Sequence, residues 1–335
     1  MNKTKFISLL LLFFTTVFSF PISDYDFHNP INDISTISSS MGGNVLTNPL
    51  DEFAFYNNPA LLSLNKKNNL SISYRYTPQK DDFYKDLSIT KLFSKSQFKA
   101  IALQSDKIAL AYIPYYDLEQ TYKDPSQNIR KDIDYKLSCY QLSYGMKENE
   151  SSIGFSLKYL TGKLVYLAKT QEDESWKINE FINSEVKGYS LDLSYLLQVN
   201  KTTYLGASFY DIVSKLYWED NPNRVIQKRY GLGLGINGTN NNLNLSISGK
   251  INLSENPYYH FGYERKRNLS NKKNTNTYIS FRSGCFSKDF QNSENIFFSI
   301  GTTFYYNFFK FDISLQNNEW NWNNTIIKSS ITMGI

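Results

Sequence analysis

The chain has 335 residues and a formal net charge of +5, and aromatic residues make up 16% of it. This positive charge is too small and too evenly spread to indicate binding to nucleic acid. Many aromatic residues without long apolar runs favour a transmembrane β-barrel, in which apolar side chains alternate along the strands and tyrosine lines the membrane interfaces. A tyrosine-rich secreted β-sandwich shares part of this signature.

The first 19 residues predict a secretory signal peptide. Lys3 and Lys5 precede an apolar run from Phe6 to Phe18, and Val17 and Ser19 are small residues at cleavage spacing. The run is shorter than the roughly 20 apolar residues that a membrane helix needs, and no later segment approaches that length. No cysteine follows the run, which argues against a lipoprotein anchor. We therefore expect the whole mature chain to be exported.

Residues 41–64, MGGNVLTNPLDEFAFYNNPALLSL, form a distinctive segment before the first predicted strand. Gly42 and Gly43 permit tight backbone paths, and Pro59 lacks a backbone donor. The segment therefore suits neither a helix interior nor a central strand, and it predicts compact irregular structure. Asn58-Pro59-Ala60 by itself is a weak signal, because Asn-Pro opens many ordinary turns.

From Asn68 onward the chain breaks into segments of about ten residues with alternating polarity. In Tyr189–Leu197, for example, tyrosine and leucine alternate with Ser190, Asp192 and Ser194, which places a carboxylate on the polar face. Similar alternation recurs in segments beginning at Ile153, Tyr230, Leu243, Tyr259 and Ile296. Repetition of this kind predicts half-buried antiparallel strands, and no segment carries a convincing helical stripe.

The predicted connections alternate in length, which is typical of outer-membrane barrels. Short turns fall at Lys147–Ser151, Asn200–Thr202, Asn237–Asn242 and Asn307, whereas long polar loops fall at Asp117–Asp132, Val165–Glu185 and Lys215–Arg224. Counting back from the C-terminus, we expect Phe83–Gln104 to be one long or kinked strand, which gives about fourteen strands. An even count returns the C-terminus to the periplasmic side.

The segment before the first strand resembles the N-terminal hatch of the FadL/TodX-like outer-membrane transport proteins. The resemblance rests on Gly42-Gly43, on Asp51-Glu52 with its aromatic neighbours, and on Asn58-Pro59-Ala60. It implies an all-β fold, a transmembrane antiparallel barrel of about fourteen strands with a hatch in or near its lumen. The predicted division is a signal peptide at 1–19, a hatch segment at 20–67 and a barrel at 68–335.

Later strands resemble the PorV-type branch of that family. The similar segments are Leu205–Asp211, Gly154–Leu160, and His260–Glu264 followed by Phe281–Gly284. Their order along the chain is more specific than any one of them. The chain differs from barrel proteins in general by ending on Ile335, where such proteins usually end on an aromatic residue.

The sequence gives no indication of catalytic chemistry. His28 and His260 are not at metal-ligand spacing, and Cys139 and Cys285 lie in separate predicted strands, where free thiols are expected. Asp51 and Glu52 are adjacent and are expected to be solvated in a loop rather than to act as an acid/base pair. We expect no enzyme activity, no cofactor and no metal.

Three functions are compatible with the sequence. The resemblance implies a transporter or channel for hydrophobic or amphipathic small molecules, as fatty acids and aromatic hydrocarbons are for the family. In that hypothesis Asn58, Pro59 and Ala60 belong to the gate and Gly42 and Gly43 to its bends. The competing interpretation of these residues is that they only plug and stabilise the barrel.

The other two functions are interactions. The PorV-type likeness implies an outer-membrane partner of a protein secretion and surface-attachment system, with secreted proteins as partners. A surface antigen or adhesin would instead act through the loops Asp117–Asp132 and Val165–Glu185. In every case the expected location is the outer membrane of a diderm bacterium, with outer-membrane lipid around the barrel and no nucleic-acid partner.

Overall fold

The computed structural model describes residues 33–65, 68–76, 97–124, 129–172, 175–220, 222–251, 255–269, 277–318 and 325–335. The predicted signal peptide and most of the predicted strand Phe83–Gln104 lie outside these ranges. The described helices are α1 (Thr36–Ser40) and α2 (Ala54–Asn57), with 3₁₀ turns at Pro59–Leu64 and Ser293–Asn295. Within the described residues, no helix is long and apolar enough to cross a membrane.

The described residues form fourteen β-strands. They are β1 (Asn69–Tyr76), β2 (Gln97–Ser105), β3 (Ile108–Asp124), β4 (Ile129–Glu148), β5 (Ser151–Glu172), β6 (Ser175–Gln198), β7 (Thr203–Trp218), β8 (Arg229–Asn237), β9 (Asn241–Lys250), β10 (Tyr258–Asn268), β11 (Thr277–Ser287), β12 (Phe297–Tyr306), β13 (Phe309–Asn318) and β14 (Ile326–Gly334).

The strands close into one antiparallel barrel, which confirms the predicted fold class and strand count. Each strand pairs with its chain neighbours, and β1 pairs with β14 from Asn69 opposite Gly334 to Tyr76 opposite Ile327. With an even number of strands, the start of β1 and the end of β14 meet at the same end of the barrel. The tight connections between β2 and β3, β4 and β5, and β12 and β13 lie at that end too, which we call the short-turn end.

The two faces of the wall differ as the alternation predicts. On β6, Tyr189, Leu193 and Tyr195 are 42–46% exposed, whereas Asp192 and Ser194 are at most 5% exposed. The first group faces outward and the second faces the lumen. Apolar side chains on the outside and polar side chains on the inside is the pattern of a barrel that is surrounded by lipid.

A row of tyrosines runs around part of the outer wall. Register places Tyr112 opposite Tyr140, Tyr140 opposite Tyr159, and Tyr159 opposite Tyr189 on four successive strands. The distance along β5 from its first residue to Tyr159 is nine residues, which matches the 9–11 residues that a tilted strand needs to cross a membrane. The row therefore marks the membrane interface farther from the short-turn end.

Beyond that row the structure corrects the sequence-based prediction of long polar loops. Asp117–Asp132 and Val165–Glu185 are largely strand, because β4, β5 and β6 have 20, 22 and 24 residues and continue to pair outside the membrane. Among the described residues, β3 pairs with β2 only as far as Tyr112, and β6 pairs with β7 only from Val186. In this described part of the chain, the sheet that projects from the barrel consists of β3 to β6.

Candidate functional site

The described hatch residues, 33–65, lie inside the barrel. α1 packs against β11 to β14, and the 3₁₀ turn Pro59–Leu64 packs against β4, β5 and β6. The segment is held internally by Ser35, whose hydroxyl accepts from Ser38 N at the start of α1 and donates to Asp51 Oδ2 at 2.5 Å. The hatch is thus compact, as its composition predicts, but it contains short helices where the sequence analysis predicted irregular structure.

Gly42 and Gly43 form a sharp bend beside the wall. Both have left-handed backbone angles, with φ of +80° and +77°, which favour glycine. A Cβ on Gly42 would lie 2.6 Å from the carbonyl oxygens of Phe261 and Cys285. The bend therefore needs glycine both for its conformation and for the close approach to β10 and β11.

His260 fixes this bend to the wall. Its Nδ1 lies 2.7 Å from the carbonyl oxygen of Gly42 and its Nε2 lies 2.8 Å from the hydroxyl of Ser248. A carbonyl can only accept, so Nδ1 carries the proton and Nε2 accepts from the serine. Gly42 N also donates to Ser299 Oγ at 3.1 Å. His260 is therefore a structural contact between wall and hatch.

Asn58, Pro59 and Ala60 form a second contact between hatch and wall, on another side of the lumen. Asn58 Oδ1 accepts from Ala60 N at 3.0 Å and its Nδ2 donates to the carbonyl of Leu46 at 2.8 Å. Pro59 begins the 3₁₀ turn, where its missing donor costs nothing. Ala60 N also donates to Ser194 Oγ at 2.9 Å. The five predicted gate residues therefore occupy two separate wall contacts, joined through the hatch.

The backbone of the hatch packs against inward-facing glycines of the wall. The sequence analysis did not connect these glycines with the hatch. A Cβ on Gly154 would lie 2.2 Å from Ala60 N, and one on Gly284 would lie 2.3 Å from Gly42 N. A Cβ on Gly206 would lie 2.8 Å from the carbonyl of Leu46. The alternating glycines of Tyr230–Ile236 were the sequence feature that could have predicted such contacts, because Gly231 and Gly233 also face Leu46 of the hatch.

The acidic pair of the hatch is not solvated, contrary to the expectation from sequence. Asp51 is buried, and burial raises its pKa to about 7 despite hydrogen bonds from Ser35 and from Phe53 N–H. Glu52 forms an ion pair with Lys310 of β13, whose ammonium also donates to the carbonyl of Leu50 at 2.9 Å. Asp51 is buried and the Glu52 side chain is only 15% exposed, because the segment that carries them lies in the lumen.

A compact charge cluster lies on the wall beside α2. Lys158 Nζ contacts Asp192 Oδ1 at 2.8 Å and Asp211 Oδ1 at 3.2 Å, and Arg229 Nη2 contacts Asp211 Oδ2 at 2.7 Å. These four side chains are buried, and their charges balance. They surround an irregularity between β6 and β7, where Asp211 has a left-handed φ of +56°. The neighbouring Tyr210 donates to the hatch carbonyl of Asn57 at 2.6 Å.

The rest of the lumen is divided into an apolar and a polar part. The apolar part is one continuous cluster that joins the hatch to the inner faces of β2 to β7. Its hatch members are Ile34, Phe53, Phe55 and Leu62, and its wall members include Ala102, Ala111, Leu137, Leu160, Leu164, Val186 and Leu216. The inner faces of β9 to β14 instead carry serine, threonine, asparagine and charged side chains, among them Arg282, Lys310, Asp312 and Lys328.

The described residues include a second buried charged group, in which Arg282 contacts Asp312 at 3.0 Å. No group of three or more metal-ligating side chains occurs among them. Cys139 and Cys285 are free thiols, as expected, with Cys139 buried in the apolar cluster. The apolar cluster forms one continuous apolar region from the projecting sheet to the hatch.

Comparison with known proteins identifies the fold. The P. putida toluene transporter TodX matches with a TM-score of 0.55 and 9% identity, over 91% of this chain and 99% of that chain. The Ralstonia pickettii toluene transporter TbuX gives 0.53 and 10% over 91% and 98%, and a Pseudomonas aeruginosa FadL homologue gives 0.53 and 10% over 89% and 97%. No protein-family model matches the chain, and no curated protein matches it.

Proposed function

We propose that this chain is an outer-membrane channel for hydrophobic small molecules, with the hatch as its gate. The fold is that of FadL-like transporters, and proteins of this fold described as toluene transporters are similar to the chain over nearly its whole length. The apolar outer band and the tyrosine row support a position in the outer membrane of a Gram-negative bacterium.

One observation carries the proposal: the lumen holds a continuous apolar cluster from the projecting sheet to the hatch. A water-filled porin needs polar side chains along its whole path, whereas β4 and β5 present Leu137, Leu160 and Leu164 to the lumen on the side of the projecting sheet. Their inward residues nearer the short-turn end, such as Gln141, Ser143 and Ser156, are polar. The apolar surface lowers the free energy of an apolar solute relative to water. The same surface does not lower the free energy of a sugar or an ion in this way.

Uptake of toluene tests the proposal. Cells of a Gram-negative strain that expresses the chain should take up radiolabelled toluene faster than cells that carry the empty vector. Leu164→Gln places an amide in the apolar cluster and should lower this uptake, whereas the matched change Lys163→Gln, on the outer face of the same strand, should not. Equal uptake with and without the protein would contradict a channel for hydrophobic molecules.

The gate is tested by the double variant Asn58→Ala, Pro59→Leu. It removes the hydrogen bonds of Asn58 to Leu46 and Ala60. The barrel should still fold, as shown by heat-modifiable migration on gels, while the rate of toluene uptake changes. Loss of the folded barrel would instead support the interpretation that the segment only plugs and stabilises.

A second candidate, a surface interaction, is favoured by the projecting sheet. The exposed β6 side chains Trp176, Ile178 and Phe181 lie on its part that β7 does not cover. Apolar side chains on an exposed edge strand are typical of protein contact sites. The PorV-type likeness and the adhesin hypothesis both remain predictions. Binding of secreted proteins to wild type but not to a Trp176→Ser, Phe181→Ser variant would favour this candidate.

A further inference from the structure

Four residues on the outer face of β6 and β7 form a square at one end of the tyrosine row. Register places Lys187 opposite Tyr217, and Tyr189 opposite Lys215. The ring centroids of Tyr189 and Tyr217 are 6.2 Å apart, and Lys215 Nζ lies 4.8 Å from the centroid of the Tyr217 ring. The two lysines are diagonal neighbours, which on a sheet are about 7–8 Å apart. We call this group of two cations and two phenols the lysine–tyrosine square.

The charges of the square are not balanced by carboxylates. In the described part of the chain, neither lysine of the square forms an ion pair, whereas Lys136 Nζ, on the outer face of β4, lies 3.7 Å from Asp134 Oδ1. Lys163, on the outer face of β5, has Glu185 as its register partner on β6. The register partners of the two lysines in the square are instead tyrosines and a threonine. The square is therefore a local excess of positive charge.

The lysine–tyrosine square lies at the level of the lipid head groups. Tyr189 belongs to the tyrosine row that marks the membrane interface, and Lys215 is opposite it. Lys187 lies two residues, or about 7 Å of strand, further toward the projecting sheet. At such a depth the methylene stem of a lysine stays against the wall while its ammonium group reaches the head groups. Both ammonium groups are therefore at the height of lipid phosphates.

The outer wall is concave on the membrane side of the square. A concavity of about 690 Å³ is lined by residues of seven successive strands, β1 to β7, so the wall bends inward there. This volume lies within the roughly 300–1,000 Å³ that is typical of ligand pockets. Tyr189 lines the concavity, and so does Val213, two residues from Lys215. Register joins most of its apolar lining into one row, which consists of Leu103, Leu110, Leu142, Leu157, Leu191 and Val213.

Neither part alone indicates a ligand. Exposed lysines are usually solvated, and surface charges by themselves contribute little free energy. An apolar groove at this depth contacts whatever acyl chain lies beside it. The two parts share Tyr189, however, and together they match a molecule in which an anionic head group is joined to acyl chains. An acidic peptide would satisfy the lysines but would leave the concavity, which lies in the hydrocarbon region, without a matching group.

We propose that the lysine–tyrosine square and the concavity form a binding site for a phosphorylated lipid of the leaflet next to the projecting sheet. Lys187 and Lys215 bind the phosphate between them, as lysines bind phosphate elsewhere by point charge. The acyl chains lie along the row of leucines below. The site goes beyond the proposed channel, because it faces lipid rather than the lumen and depends only on the position of the barrel in a membrane.

Binding of lipid A to the purified full-length barrel in detergent micelles tests the site. This lipid carries phosphates and several acyl chains, and native mass spectrometry over a series of lipid concentrations measures its affinity. Lys187→Gln with Lys215→Gln should weaken binding about thirtyfold, as expected for two lysines at an anionic lipid surface. The matched control, Lys136→Gln with Lys163→Gln, removes the same charge from lysines beside carboxylates and should weaken binding less than about threefold. Heat-modifiable migration on gels verifies that each variant is a folded barrel.

Two further probes separate the lipid from its phosphate. Lipid A without its phosphates should bind the wild type about as weakly as intact lipid A binds the variant of the square. Inorganic phosphate at the same concentration should not compete with lipid A, because it has no acyl chain. Equal affinity for both forms of lipid A, or equal weakening in the control variant, would overturn the site. Competition by inorganic phosphate would show a site for a free anion and would overturn the lipid.

The concavity is tested by filling it. Leu157→Trp adds an indole to the row of leucines and should weaken lipid A binding about tenfold, the cost of overfilling a packed site. Leu232→Trp makes the same change in another concavity of the outer wall, on β6 to β10, and should leave binding unchanged. The two leucines are similarly exposed, at 50% and 48%. Wild-type affinity in Leu157→Trp would overturn the site, and because no uptake is measured, failure of the channel function would not change these outcomes.

Discussion

Gly154 of β5 lies so close to Ala60 of the hatch that a Cβ on the glycine would be 2.2 Å from the backbone nitrogen of the alanine. Gly154→Val therefore cannot fit unless the turn at Pro59 leaves the wall. We expect the barrel to fold while the hatch becomes accessible, measured as protease cleavage within residues 41–64 of the folded protein.

A matched glycine change provides the control for this prediction. Gly334→Ala, near the end of β14, places its Cβ no closer than 3.4 Å to Phe308, which is an ordinary contact. It should leave the hatch protected. Protection of the hatch in Gly154→Val would show that the wall, rather than the hatch, yields to the new side chain.

The outer face of β6 predicts how the barrel responds to charge. Leu193 faces outward between the tyrosine row and the short-turn end, so Leu193→Arg places a cation near the middle of the lipid. The expected cost is about 2–4 kcal/mol of unfolding free energy, measured by urea titration in lipid vesicles. Thr161→Arg, on the outer face of β5 beyond the tyrosine row, should cost about 0–1 kcal/mol. Equal costs would mean that lipid does not surround this face.

The two ends of the barrel should differ in accessibility on intact cells. Single cysteines in the background without Cys139 and Cys285 report this through an impermeant thiol reagent. Asn179→Cys, on the projecting sheet, should be labelled, and Lys201→Cys, in a tight turn at the short-turn end, should be protected. The reverse pattern would invert the barrel, and labelling at both sites would place the chain outside the membrane altogether.

Asp51 predicts a pH dependence of hatch order. Its pKa is raised by burial from 3.8 to about 7, with smaller contributions from Glu52 and Asp33, so the folded hatch favours the protonated acid. The corresponding stabilisation is complete below the unfolded pKa of 3.8 and is lost as the pH rises through about 7. We expect hydrogen exchange of amides 51–57, corrected for intrinsic rates, to be slower at about pH 5 than at about pH 8.

The variant Asp51→Asn should abolish this difference, because the amide does not titrate in that range. Asp106→Asn, in the exposed turn between β2 and β3, should retain it. Wild-type protection that is the same at both pH values would show that Asp51 does not control the order of the hatch.

The barrel could be predicted from sequence because each strand carries its own signal. Alternation in Tyr189–Leu197 reports its two faces without reference to any other strand, and parity follows from the count. The projecting sheet could not be predicted, because Trp176, Lys177 and Ile178 are all exposed and the alternation that marks a half-buried strand is lost.

The hatch contacts could not be predicted either, since they join residues far apart in the chain. The sequence analysis correctly placed Ser194 on the lumen face. From that placement alone, with an open lumen, an arginine would fit at this position. In the structure Ser194 touches Ala60, so the same substitution meets the hatch. Asp51 and Glu52 look like loop residues for the same reason, because their burial depends on Ser35 and on the distant Lys310.

The close contacts between the hatch backbone and the inward-facing glycines also constrain how the protein is assembled. The hatch precedes every strand in the chain, and its backbone rests on positions where β5, β7, β10 and β11 lack a Cβ. A barrel that closed first would have to admit a folded plug that fits its inner wall to within an atomic radius. Closure around a hatch that is already in place avoids that step. The hatch is then expected to occupy the lumen before β1 pairs with β14 and closes the barrel.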